Sequence, residues 1–187
     1  MNFSQAVQAV IDITKRPDKF VETERAVNAA LSFFILKGEF AQDLMEYTLP
    51  LVPTDYKGQV DITVLTRFRR MKFVNVNGLR NFLKEISPEQ LFTPGGIVQP
   101  NTYYITGTTL NYALATPASF LNVGYYVYPP VLANDAQHWF LSAASPCIID
   151  RAAGIILRHL EDQQGSSTHM ALAKEWYDVF VRDISQR

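Results

Sequence analysis

The sequence predicts an α+β fold in which a bundle of about four helices, two N-terminal and two C-terminal, carries an inserted small antiparallel β-rich region. Three observations lead there. Both ends of the 187-residue chain space their apolar residues as helices do, the middle alternates with period two, and the turn dipeptides Asn77-Gly78 and Gly107-Thr108 both fall in that middle. The helical part is residues 1–47 plus 131–187 and the β-rich insertion is 48–130, within a single domain spanning 1–187. A chain of this length buries about 70% of its unfolded surface, which is enough for a core.

Phe3, Val7, Val10 and Ile11 share one helical face, with Asn2 or Ser4 as cap, and this first helix stops before Arg16-Pro17. Asp18 caps a second. From Phe20 to Leu36 the residues Val27, Ala30, Leu31, Phe33, Phe34 and Ile35 exceed a single stripe, which predicts burial on more than one side before Gly38 ends the helix. After Asp43-Leu44-Met45-Glu46, Pro50 and Pro53 exclude a helix. Tyr56-Lys57-Gly58 reads as a turn into a strand-like stretch from Val60 to Leu65, and Phe68 to Val76 continues the alternation up to Asn77-Gly78.

Leu79 to Ile86 is open between strand and helix. Ser87-Pro88-Glu89-Gln90 supplies a cap, a first-turn proline and a capping-box partner, predicting one helical turn ending near Phe92, and Pro94-Gly95-Gly96 breaks the chain again. Tyr103, Ile105, Leu110 and Tyr112 flank Gly107-Thr108, a glycine-first pair suited to a two-residue hairpin. A strand from Phe120 to Tyr128 sets Leu121, Val123, Tyr125 and Val127 on one face, until Pro129-Pro130 ends it. Asn134-Asp135 begins a short helical piece bearing Trp139, Phe140 and Leu141.

The last third reads as a helical hairpin. Ser145 is the cap and Pro146 the first residue of a helix whose apolar face is Ile148, Ile149, Ala152, Ala153, Ile156, Leu157 and Leu160, running to about Asp162. Gly165 then supplies the left-handed terminator. Ser166 or Ser167 caps a final helix carrying Met170, Leu172, Ala173, Trp176, Tyr177, Phe180 and Ile184, and so short a connection makes the pair antiparallel. Two helices alone leave the outer flanks of Trp176, Phe180 and Ile156 in water, so the N-terminal helices are the candidates to cover them.

A net charge of -1 argues against tight nucleic-acid or anionic-membrane binding, and one cysteine excludes an intrachain disulfide framework. The N-terminus shows no secretory signal, and no apolar run is long enough to span a bilayer, which reads as a soluble protein made in the cytoplasm.

Candidate chemistry is sparse. Cys147, second in its helix, sits where the dipole favours a thiolate, but Pro146, Ile148 and Ile149 around it suit a small buried apolar residue better. His138, His159 and His169 lack the spacing that sets two metal ligands on one helical face. Gly95-Gly96 has no Lys-Ser/Thr partner for phosphate, no serine elbow exists, and the carboxylates are scattered. No catalytic, cofactor-binding or metal-ligating residue is therefore assigned, and the reading is not an enzyme.

The candidate interaction residues are Arg67, Arg69, Arg70, Lys72, Tyr125 and Tyr126. On a regular strand Arg67 and Arg69 share one face and Arg70 and Lys72 the other, so the cations of Arg67-Phe68-Arg69-Arg70-Met71-Lys72 split instead of forming a dense stripe. Phosphate contact is one reading. A polar strand that is exposed or paired with acidic residues of a neighbouring chain is the other, and the neutral total favours it. Tyr103, Tyr104, Tyr112, Tyr125, Tyr126 and Tyr128 lie on few, short strands, so they divide between core and interface.

The order of these features resembles the head-to-tail adaptor (connector) proteins of tailed bacteriophages, especially short-tailed ones, over nearly the whole length. The residues that carry the likeness are Thr14-Lys15-Arg16-Pro17-Asp18, Phe40 with Asp43-Leu44, Arg67-Phe68-Arg69-Arg70, the hairpin from Tyr103 to Leu110, Tyr125-Tyr126 before Pro129-Pro130, Trp139-Phe140-Leu141 and Trp176-Tyr177. The resemblance implies a helical bundle with a β-rich insertion, assembled as a ring of about twelve copies beneath the portal. Such a ring joins the DNA-filled head to a tail nozzle or tail-tube protein and surrounds the channel through which DNA leaves without sequence-specific binding. It implies no enzyme activity, cofactor or membrane, and a place at the head-tail junction of the virion. Two other readings stay open: another virion or tail module that binds a protein partner, and an enzyme centred on Cys147.

Overall fold

The computed structural model describes residues 1–52, 56–77, 82–92 and 99–185. The chain forms two compact units, one from Met1–Gln42 with Pro129–Arg187 and one from Asp43–Tyr128.

The first unit is helical: α1 (Phe3–Thr14), α2 (Phe20–Lys37), α3 (Trp139–Ala143), α4 (Ser145–His159) and α5 (Gln163–Ser185). Asn2 starts α1 with a capping box, its side chain accepting from the Gln5 N–H at 2.9 Å while its own N–H donates to Gln5 Oε1 at 3.0 Å. A 3-10 turn, Pro17–Lys19, precedes α2, and Asp18 pairs with Arg16 at 2.7 Å instead of capping the helix. At the centre lies α4, which packs against α1, α2, α3 and α5. Its small residues admit those neighbours closely: Ser166 Oγ donates to the Gly154 carbonyl at 2.8 Å, and a Cβ on Gly154 would crowd Met170 at 3.0 Å. Aromatic rings close the core, with Phe34 stacked on Tyr177 at 4.9 Å and Phe140 edge-on to Phe180 at 5.1 Å.

The predicted bundle of about four helices with one small sheet is thus corrected. The fold is α+β, but the described residues hold five α-helices and seven strands in two sheets. The extra helix arises because Ala144 leaves helical geometry at φ -135, separating α3 from α4. Ala144, not Ser145, is then the cap of α4, and Pro146 falls inside the first turn.

The α4–α5 turn also differs from expectation. Glu161 takes the left-handed conformation, φ 64, and the Asp162 carboxylate accepts from the Gly165 N–H at 2.8 Å, so Gly165 lies within the first turn of α5. The cover expected from the N-terminal helices reaches Ile156, 2% exposed, and packs Phe180, but leaves Trp176 47% exposed. Phe33 of α2, expected inside, is 41% exposed.

The second unit contains β1 (Leu44–Pro50), β2 (Lys57–Asp61), β3 (Phe68–Val76), β4 (Lys84–Glu85), β5 (Thr102–Thr106), β6 (Thr109–Ala113) and β7 (Phe120–Val127). One sheet has the order β1-β7-β3 and the other β2-β6-β5-β4; every pair is antiparallel except β4 with β5. The two sheets share a core of Leu49, Met71, Val74, Leu121, Val123 and Tyr125 from one and Tyr103, Leu110 and Tyr112 from the other. The hairpin between β5 and β6 turns on Gly107-Thr108 as its sequence suggests, with Thr106 opposite Thr109 and Gly107 at φ 59. Strand β1 has no counterpart in the sequence reading. Ser87 and Gln90 make one half of the expected box at the 3-10 turn Pro88–Phe92, the Ser87 N–H donating to Gln90 Oε1 at 3.2 Å, while the Gln90 N–H donates to the Ser87 carbonyl at 3.0 Å. Pro53, Gly78, the Leu79–Asn81 part of the ambiguous stretch, and Pro94-Gly95-Gly96 lie outside the described residues.

Candidate interaction surface

Arg67 immediately precedes β3 and takes a left-handed conformation, φ 53. Its carbonyl accepts from the Tyr128 N–H at 2.8 Å while its guanidinium donates to the Tyr128 carbonyl at 3.1 Å, fastening the start of β3 to the end of β7. Pairing of β3 with β7 then slips twice, between Phe68 and Arg70 and between Met71 and Phe73, with Arg69 and Lys72 as the additional residues. Simple alternation fails as a result. Met71 and Val74, three apart, both enter the core, because each slip turns the following residues over.

The bulges bring some of the sequence-selected residues together and separate others. Arg70 lies opposite Tyr126, and Lys72 Nζ is 5.7 Å from the centroid of the Tyr126 ring, a cation–π contact on the face of the sheet away from the core. Arg67, Arg70 and Lys72 are exposed and Arg69 is half-buried. Tyr125 points the other way, 1% exposed and 5.8 Å from the Phe68 ring, and Tyr126 is itself only 5% exposed. Both rings belong to the folded unit, one in its core and one beneath a lysine. Tyr128, 48% exposed, is the tyrosine of this strand that offers surface.

The other candidates do not converge. Cys147 is 1% exposed; burial, with the Asp150 carboxylate adding to it, outweighs a backbone hydrogen bond and pushes the thiol up to about 11. A thiol so protonated is a poor nucleophile at neutral pH. His138 caps α3 by accepting from the Phe140 N–H at 3.2 Å, His169 meets Asp150 at 2.8 Å between α4 and α5, and His159 ends α4 in solvent. Among the described residues no three His, Cys, Asp or Glu side chains cluster as metal ligands. A hollow of about 340 Å³ lies on the second sheet, lined by residues that include Lys57, Gln59, Tyr104 and Asn111; among the described residues its lining holds no carboxylate, histidine or cysteine.

The family model of the SU10 adaptor protein matches residues 1–187, the full length of the sequence. The chain belongs to the SU10 adaptor protein family. This agrees with the resemblance to phage head-to-tail adaptors carried by its motifs, and the family is one of structural adaptors of the phage virion. No curated protein matches the chain. None of the described helices is long and apolar enough to cross a membrane.

For an adaptor the informative surfaces are those that meet other proteins, and two exposed apolar flanks stand out on the helical unit. On α5, Leu172, Trp176 and Val179 are 37%, 47% and 41% exposed and fall on one line of the helix, which Asp183 continues and Glu175 borders. The packed face of the same helix is Ala173, Tyr177 and Phe180. The second flank is the outer side of α2. There the Arg151 guanidinium lies 3.3 Å over the exposed Phe33 ring, and Phe33, Lys37, Arg151, Met170 and Lys174 line a hollow of about 210 Å³. A helical wheel drawn from sequence shows both flanks as apolar, but not which neighbour leaves them uncovered.

Proposed function

We propose that this adaptor-family chain forms a ring of about twelve copies beneath the portal, seals the DNA-filled head, carries a tail nozzle or tail-tube protein, and surrounds the DNA exit channel at the head-tail junction of the virion. The observation that carries the reading is the match to the adaptor family across all 187 residues. Two physical features are compatible with it. A conduit should not grip its cargo, because neutralising many phosphates makes release costly, and the net charge is -1. The cations of β3 are dispersed by its two bulges over a half-buried position and exposed ones, unlike the continuous stripe that tracks a phosphate backbone. On this reading Arg67, Arg69, Arg70 and Lys72 make protein contacts in the assembly, with Tyr125 and Tyr126 holding the strand that presents them.

The deciding experiment is sedimentation of the purified chain alone and with the portal ring encoded in the same genome. Co-sedimentation at a fixed, saturable ratio to portal subunits is the expected result. Absence of binding with both proteins folded would remove the portal from its partners and leave a different virion or tail module as the reading.

A further inference from the structure

The two flanks of the helical unit differ in chemistry as well as position. Along α5 the apolar line of Leu172, Trp176 and Val179 carries the carboxylates Glu175 and Asp183, with Arg182 one heptad repeat beyond Glu175. Around Phe33 the charges are Lys37, Arg151 and Lys174, and none of these three has a carboxylate partner among the described residues. Lys37 instead lies over the Tyr177 ring at 4.6 Å, and Arg151 over Phe33, both cations resting on aromatic faces. Lys174 and Trp176 are two residues apart on one helix, so they point about 200° apart. The basic apolar flank and the acidic apolar flank therefore face opposite ways from α5.

From this we propose that a second copy of the chain is the occupant: the Leu172–Trp176–Val179 line of one copy seats on the Phe33 flank of the next, Glu175 and Asp183 meeting Lys37, Arg151 and Lys174. The inference rests on the ring reading above and names one of its lateral contacts. A contact between two different surfaces on opposite sides of one body repeats head to tail and closes into a ring when the rotation permits. Pairing two Trp176 lines with each other is the self-complementary alternative, and it brings Glu175 beside its own copy, which like charges oppose. The line is short, spanning roughly 11 Å of helix from Leu172 to Val179. Such a contact is weak alone and becomes effective when neighbours are held together on a template.

The test is short-span bismaleimide cross-linking of the Phe33→Cys/Trp176→Cys double variant, free at high concentration and bound to the portal, with each single variant as control. Both positions are about half exposed, so the folded state should accept them, which circular dichroism checks, and Cys147 is buried away from the reagent. The expected result is a ladder of multimers from the double variant on a denaturing gel and only monomer from either single variant. Dimers from Trp176→Cys alone would overturn the proposal in favour of self-pairing. No ladder from a double variant that still co-sediments with the portal would overturn this contact while leaving the ring reading in place. A ladder from a chain that does not bind the portal would do the reverse. Failure of both would remove both.

Discussion

The Asn28 side chain holds the backbone of Leu132 from both sides, its Nδ2 donating to the Leu132 carbonyl at 3.0 Å and its Oδ1 accepting from the Leu132 N–H at 2.8 Å. These two residues stand 104 apart in sequence, and between them the chain leaves the helical unit and returns. The return segment is also tied to α1, where Phe3 N–H donates to the Ala136 carbonyl at 2.9 Å and Ser4 N–H to the Asn134 carbonyl at 3.1 Å. With its termini so fastened, Leu132 can bury its side chain against the core.

Replacing Asn28 by Ala strips both partners from a half-buried peptide. The expected loss is about 2 kcal/mol, two net hydrogen bonds with part of their desolvation left uncompensated. Urea unfolding of the helical signal measures it. An unchanged midpoint would mean that water replaces the amide without cost.

Glu161 holds the left-handed position that closes α4, φ 64, with its N–H donating to the Arg158 carbonyl at 3.1 Å and the Asp162 N–H to the Leu157 carbonyl at 3.0 Å. That pair of bonds is a Schellman motif, which usually places glycine where Glu161 stands. Glu161→Gly removes a conformational penalty of about 1 kcal/mol and exposes no new surface, so the midpoint of thermal unfolding should rise. A fall would show that the glutamate side chain contributes more than its backbone conformation costs.

This turn also shows what the sequence could and could not carry. The glycine at 165 reads as the helix terminator because glycine is the residue expected at φ > 0, yet the left-handed residue is Glu161 and the glycine sits beside a capping aspartate. The signals that succeeded are local and chemical: Asn2 as a cap, the bond between Ser87 and Gln90, and Gly107 at the hairpin. Those that failed depend on distant partners. Period-two reading cannot see the bulges at Arg69 and Lys72, because an inserted residue changes faces without changing composition. Strand β1 escapes notice because Met45 and Tyr47, although they face the same way as buried Leu49, remain 40% and 43% exposed on an edge strand. Tyr126, open between core and interface in the sequence, is 5% exposed, with Lys72 Nζ 5.7 Å from its ring. Trp176 reads as core and is exposed, since α4 already has α1, α2 and α3 as neighbours beside α5.

Cys147 gives a pH-dependent test. Its thiol is pushed up to about 11 from an ordinary value of 9.0, chiefly by burial. Folded chains therefore keep a proton that unfolded chains release, so this contribution to stability is complete below pH about 9 and falls as pH rises from there through about 11. Burial also raises Tyr103 and Tyr177, which adds a decline that begins near their ordinary value of 10.0. Comparison with Cys147→Ala isolates the thiol: its urea midpoint should fall less steeply between pH 9 and 11 than that of the native sequence. Parallel curves would show that the folded thiol ionises as readily as a free one, and rapid alkylation of the native chain at neutral pH would return Cys147 to consideration as a nucleophile.

Arg69 separates the two uses of the basic run. It is one of the additional residues of β3, half-buried, whereas Arg67 is exposed and tied to Tyr128. If the run meets protein, reversing the charge at Arg69 introduces repulsion in the assembly and leaves a chain whose free form has no dense phosphate stripe to lose. Arg69→Glu should then weaken co-sedimentation with the portal by about tenfold, roughly 1.4 kcal/mol, at unchanged DNA affinity, measured where circular dichroism shows both chains folded. A run lining the channel predicts the opposite division: assembly retained, DNA affinity lower at every sequence, and a salt slope smaller by about 1 as one phosphate contact disappears. Because each outcome moves one readout and leaves the other unchanged, one variant suffices to choose between protein contact and DNA contact for this strand.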